Sequence, residues 1–254
     1  MVQSVVIGIV VWIAIFALRE SIHWLFHQVL HWIEHAPTPW VLLITLFSGA
    51  LIVGLIASFR SEVINFRDEE GEIERLNAIE GDGIERASAL YFTSDPSVKQ
   101  GHAADPTGLE ARWQKSTFGF AARKFLASLV TLGSGGSGGL EASSALIGEN
   151  LGAWYYRLRS NKAPKLDDLP KRMIGPWDAP NPDYLQAAQL SGIAAAVTVL
   201  LGAPLAGAFF ASEVMYRNRP LLEKLFYSLI AALTAQLLSS FVAGDRPMMF
   251  GVEN

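Results

Sequence analysis

Residues 124–152 read KFLASLVTLGSGGSGGLEASSALIGENLG, and the order of parts in this stretch decides the fold class. An apolar helical run over 117–132 stops at Gly133-Ser134-Gly135-Gly136-Ser137-Gly138-Gly139, and a second helix starts near Glu141 and runs to about Tyr156. In a soluble protein a glycine–serine run of this kind would be a flexible linker. Here apolar helix flanks it on both sides. Irregular backbone at membrane depth is tolerated only where it is buried in protein or lines a cavity. The stretch is therefore expected to line a pathway and to end at a helix N-terminus inside the membrane. Such a terminus presents unpaired N–H groups and about half a positive charge, which makes an anion site from backbone alone. Glu141 stands at it. Ionised, its carboxylate can occupy the anion site; protonated, it can swing away, so that one residue would couple proton binding to anion passage. Capping the helix is the simpler role open to the same residue.

The remainder of the chain agrees with a membrane setting. Of 254 residues, 51% are hydrophobic and 17% charged, where a soluble domain carries about 25% charged residues. Residues 1–18, 36–59, 184–212 and 225–244 contain no Asp, Glu, Lys or Arg, and a helix needs about 20 apolar residues to cross about 30 Å of hydrocarbon. The expected fold class is an all-α polytopic membrane protein, a single domain over 1–254 in a plasma or inner membrane. Helices are expected at 3–35, 40–59, 84–92, 117–132, 141–156, 184–200, 204–218 and 220–243. Pro37 and Pro39 separate the first two, and Gly202-Ala203-Pro204 forms a hinge. Aqueous segments are expected at about 60–82, which is strongly acidic, at 93–112 and at 157–183. The last of these, with Arg217, Arg219 and Lys224, is basic and belongs in the cytoplasm. The pair 184–218 should then enter the membrane and return. Residues 1–18 lack the basic start and the small-residue site of a signal peptide, so they read as a retained helix. The absence of Cys excludes disulfides and thiolate metal sites. A net charge of −4 without a basic stripe gives no footprint for nucleic acid. No nucleophile–base pair, phosphate loop or metalloprotease motif is present, so neither enzyme activity nor a cofactor is expected.

Two blocks carry a family resemblance. Residues 124–152 resemble the segment of CLC chloride channels and chloride–proton exchangers that bears G-[KR]-E-G-P and the helix after it. Residues 191–207, SGIAAAVTVLLGAPLAG, are similar to that family's small-residue helix and N-A-P-L-A-G turn, and AFFASEVM at 208–215 continues toward its E-E-M. The resemblance implies the first of two inverted repeats, with broken and re-entrant helices, and channel-like transport of chloride or another small anion. It makes Glu141 the gating glutamate and assigns Gly139 and the N–H groups of Ala142, Ser143, Ser144 and Ala145 to the anion site. Gly192, Ala195, Ala203, Pro204 and Gly207 become close-packing positions. The implied surroundings are the lipid bilayer and either a second copy of the chain or a C-terminal half that would supply the second repeat.

The departures are specific. Leu140 replaces the motif's basic residue, and Ala142-Ser143 replace Gly-Pro. Val214 stands where the family's exchangers carry an inner proton-transfer glutamate, which fits a passive channel unless Glu213 substitutes; Glu213 is also spaced to pair with Arg217. The nearest match to the family's G-S-G-I-P is Gly81-Asp82-Gly83-Ile84-Glu85, where Asp82 would repel chloride, and an ordinary turn fits it equally well. Asp82, Glu141, Glu149 and Glu213 are the pore-side acids, with no Lys or Arg placed among them. They leave open a proton- or cation-coupled carrier, and the departures leave open a non-transporting or regulatory protein on the same fold.

One further pattern lies outside these blocks. His23, His27, His31 and His35 recur every four residues on the first helix. Histidines at i and i+4 share a helix face and can bind a metal or sense pH. Trp24, Trp32 and Trp40 nearby fit an interfacial aromatic belt.

Overall fold

The computed structural model describes residues 1–36, 38, 40–58, 63–67, 73–77, 117–160, 182–213 and 222–243. Among them are seven helices: α1 (Val2–Glu34), α2 (Trp40–Ser58), α3 (Thr117–Gly133), α4 (Glu141–Ser160), α5 (Pro182–Leu201), α6 (Pro204–Glu213) and α7 (Leu222–Ala243). The expected helices at these places are present. That at 84–92 and the segment 93–112 lie outside the described residues. The segment 157–183 is shorter than expected, because α4 continues to Ser160: Arg157 and Arg159 fall in its last turn, where basic side chains suit the helix dipole. The acidic segment 60–82 holds, among the described residues, a hairpin of β1 (Val63–Arg67) and β2 (Ile73–Asn77). The strands pair antiparallel, from Val63 opposite Asn77 to Arg67 opposite Ile73.

Four helices, α1, α2, α5 and α7, are long and apolar enough to cross a membrane. Their faces show what surrounds them. On α2 only Thr45 and Gly49 are buried, whereas Leu43, Ile44, Phe47 and Leu55 are exposed. A helix that turns its polar and small residues inward and its large apolar ones outward is matched to lipid, not water. On α1 the buried positions Ser4, Ile7, Val11, Ile15 and Leu18 follow helical spacing and end before Arg19. With 33 residues, α1 is about 50 Å long and outruns the hydrocarbon by about 20 Å.

The centre of the bundle is α5, which packs against α1, α4, α6 and α7. Its small residues allow this. A Cβ added at Gly192 would strike the Gly148 carbonyl, one at Gly148 the Gly192 carbonyl, and one at Gly152 the Ala188 carbonyl. These pairings run in opposite directions along the two chains, so α4 and α5 are antiparallel with their backbones in contact. By contrast α1 and α7 run parallel. Gly8 packs on Ala231 and Thr234, and further along both helices the Trp12 indole N–H donates to Ser239 Oγ at 2.9 Å. Ser239→Ala should lower stability by about 1 kcal/mol. Detergent-titration unfolding of the micellar protein checks this, with an unchanged midpoint showing that the bond contributes nothing.

Two helix breaks shape the bundle. Gly202 has φ +67°, and its N–H reaches the Thr198 carbonyl at 2.8 Å, the single-bond left-handed helix cap. Gly207 N–H then bonds the Ala203 carbonyl at 2.9 Å, so Pro204 takes the first position of α6, where its missing N–H is harmless. The break folds α6 back onto α5, where Gly207 meets Ala194 and Thr198.

Candidate functional site

The second break is the glycine cluster. Gly136 N–H bonds the Thr131 carbonyl at 2.8 Å and Gly135 N–H bonds the Leu132 carbonyl at 3.2 Å, with Gly135 at φ +92°. These paired bonds form a Schellman cap on α3. The cluster is therefore a built chain reversal and not a linker. It is held from outside as well: Gly133 is buried against Leu25 of α1, Ser134 sits on Gly49 of α2, and Gly135 faces Leu46, which lies 3.8 Å from where a Cβ would stand.

Past the reversal, Ser144 N–H donates to the Leu140 carbonyl at 2.8 Å. This is the first bond of α4, so the amides of Glu141, Ala142 and Ser143 precede the helical ladder and have no acceptor within it. Leu140 at the cap position brings no side-chain oxygen to satisfy them. The Glu141 side chain is exposed and folds back over Gly139; a Cβ there would come within 2.6 Å of Glu141 Oε2. Gly139 thus makes room for the carboxylate. Ala142 is half-buried, while Ser143, Ser144 and Ala145 are buried. Ser144 Oγ is fully enclosed and has no hydrogen-bond partner among the described residues. A hydroxyl buried without a partner costs about 1–3 kcal/mol, and its place in the first turn marks this terminus as a point where a further polar group would be favourable. The structure thus brings together Gly139, Glu141 and the backbone of Ala142 to Ala145.

Other candidate residues fall elsewhere. Asp82 lies outside the described residues. Glu213 is exposed at the end of α6, and Arg217, its sequence neighbour one turn on, also lies outside them. Glu149, whose role the sequence left unassigned, is 1% exposed and accepts a hydrogen bond from Gln189 Nε2 at 3.1 Å. It joins α4 to α5 about 12 Å, two helical turns, along from Glu141. The sequence placed no cation among the acids, yet Lys124 on α3 is only 5% exposed. It stands beside Arg123 on that helix, and nothing in the sequence shows which of the two turns inward. The four histidines lie on the exposed part of α1. Among the described residues no three His, Asp or Glu side chains meet in a way that could hold a metal ion.

Residues 87–254, well over half of the chain, match the family model described as voltage gated chloride channel. The chain belongs to this family. That membership makes it a membrane protein of an anion-transport family and agrees with the small-residue packing and the interrupted helices. Its structure is similar to the X-ray crystal structure of a slow cyanobacterial Cl−/H+ antiporter, with a TM-score of 0.60 and 16% sequence identity. The similarity covers 96% of this chain and 47% of the antiporter chain, so the chain spans about half the length of that relative. At this identity the likeness is one of fold. No curated protein sequence matches the chain.

Proposed function

We propose that the chain takes part in channel-like passage of chloride or another small anion across a membrane, with Glu141 as the gate. The start of α4 carries this proposal. Its ladder-free amides, the unpartnered Ser144 hydroxyl in the same first turn and the carboxylate folded over Gly139 support a site suited to negative charge. A bound anion and the ionised Glu141 carboxylate would compete for the same donors, and protonation of Glu141 would release them. Channel-like behaviour is favoured over tight proton exchange because position 214 holds valine. The proposed topology is multi-pass, with the basic segments in the cytoplasm and the α5–α6 hairpin entering and leaving on that side. A partner is part of the proposal: either a second copy or a separate second repeat would cover the site's open side. Buried Glu149, on the same helix as Glu141, favours a proton-coupled carrier as the second possibility; a flux that persists when chloride is replaced by an impermeant anion would select it.

Chloride efflux from liposomes tests the proposal, with the chain reconstituted alone and together with a C-terminal second repeat. Wild-type flux should rise as pH falls. Glu141→Ala should give flux that is flat with pH and at neutral pH at least as fast as wild type, since no carboxylate competes for the amides. An unchanged pH profile removes the gating role, and absence of flux in every reconstitution removes the transport role.

A further inference from the structure

The part of α1 beyond Leu18 buries no residue, and it carries a pattern that anion passage leaves unused. His23, His27, His31 and His35 are all exposed there, and they stand as two couples. The His23 and His27 rings meet edge to face with centroids 4.4 Å apart; the His31 and His35 rings stack at 4.2 Å, 26° from parallel. The second couple has one feature more. His35 Nδ1 lies 2.8 Å from the His31 carbonyl oxygen. A carbonyl only accepts, so Nδ1 carries the proton and Nε2 keeps its lone pair. An imidazole that gives one N–H to a backbone carbonyl is held in the tautomer and orientation that metal-ligating histidines use. Neither His23 nor His27 has such an anchor among the described residues. An open concavity lined by His27, Gln28, Leu30, His31 and Glu34 opens on His31, and His35 is exposed beside it, so an ion can reach the couple with its water.

We propose that His31, by turning out of its stack, joins His35 one helical turn on in a two-imidazole site for a divalent transition-metal ion of the zinc and copper class. Because among the described residues no third ligating side chain converges there, water fills the remaining positions and the site is exchangeable, unlike a closed structural centre. Imidazole nitrogen selects against calcium and magnesium, which take oxygen ligands, and favours copper over zinc. The side of the membrane rests on the proposed topology. Since α1 runs parallel to α7, which starts beside the basic residues Arg217, Arg219 and Lys224, the site faces the outer medium; the metal chemistry itself holds whichever side it faces.

Isothermal titration of CuCl2 and ZnCl2 into the full chain, purified without a histidine tag and held in nanodiscs, is the test, with copper EPR on the same samples. The expected result is one saturable copper ion per chain with nitrogen hyperfine coupling, weaker zinc binding and no heat with MgCl2. His31→Ala and His35→Ala should each weaken binding by at least about tenfold, the lower bound for losing even an outer-shell partner of a metal ligand. Binding that survives both substitutions, that is lost only with His23→Ala or His27→Ala, or that shows no nitrogen coupling would overturn the site. These side chains are exposed, so circular dichroism should be the same for all variants. A variant that lost helix would be replaced by His31→Gln or His35→Gln, read against the same titration.

Discussion

Gly192→Leu is expected to keep the chain from reaching its native packing. At Gly192 the backbone of α5 touches the backbone of α4, and the first carbon of any side chain would fall on the Gly148 carbonyl. Neither partner there is a flexible side chain that can turn away, so the helices must separate. Overpacking a core ordinarily costs about 1–3 kcal/mol, and a leucine wedged between two main chains should exceed that range. Separation would also break the neighbouring contacts at Gly152 and Ala188 and expose the polar pair beside them. Detergent-titration unfolding and size-exclusion elution in micelles read the effect: an early midpoint and an aggregated profile are expected, and wild-type behaviour would show that α4 and α5 are not in backbone contact. Gly54→Ala on α2 is the matched control. Nothing lies within 4 Å of its added Cβ, and alanine improves on glycine inside a helix by about 1 kcal/mol. The same kind of change should therefore act with opposite sign at the two positions.

Gln189→Leu should produce the next largest loss. Its Nε2 donates to Glu149 Oε1 across the α4–α5 contact, where Glu149 is 1% and Gln189 5% exposed. Removing one partner leaves the other's polar atom enclosed without that donor, which costs about 1–3 kcal/mol. The double variant Glu149→Leu/Gln189→Leu should lose less than the sum of the two single variants, because the two side chains share one hydrogen bond. A double-mutant cycle measures the coupling directly. If the single substitutions add without coupling, the amide does not hold the acid in place.

The two pairs explain what was legible in the sequence. Charge-free runs announced α1, α2, α5 and α7, since only lipid accepts so many apolar residues without a polar face. Gly202-Ala203-Pro204 announced its break because glycine accepts a left-handed helix cap and proline suits the first position of a new helix. The glycine cluster was legible as an interruption, but its anchoring on Leu25, Gly49 and Leu46 was not, since those contacts join residues far apart in the chain. Glu141 could be picked out because it begins a helix. The enclosure of Ser144 could not, as burial of a serine depends on what packs over it. Glu149 and Gln189 are 40 residues apart, and no local pattern links them. The strands Val63–Arg67 and Ile73–Asn77 were hidden because the acidic residues dominated the segment's composition.

The Schellman reversal at Gly135 bears on how fast a gate at Glu141 can work. The turn is tied by main-chain bonds and by a backbone angle of φ +92° that only glycine adopts without strain. The wall beside the carboxylate is thus a stiff mount, and the moving part of the proposed gate is the Glu141 side chain. Rotamer changes of exposed side chains take picoseconds to nanoseconds. The dwell times of such a gate would then be set by how often a proton arrives and leaves, with chain rearrangement contributing nothing to the clock.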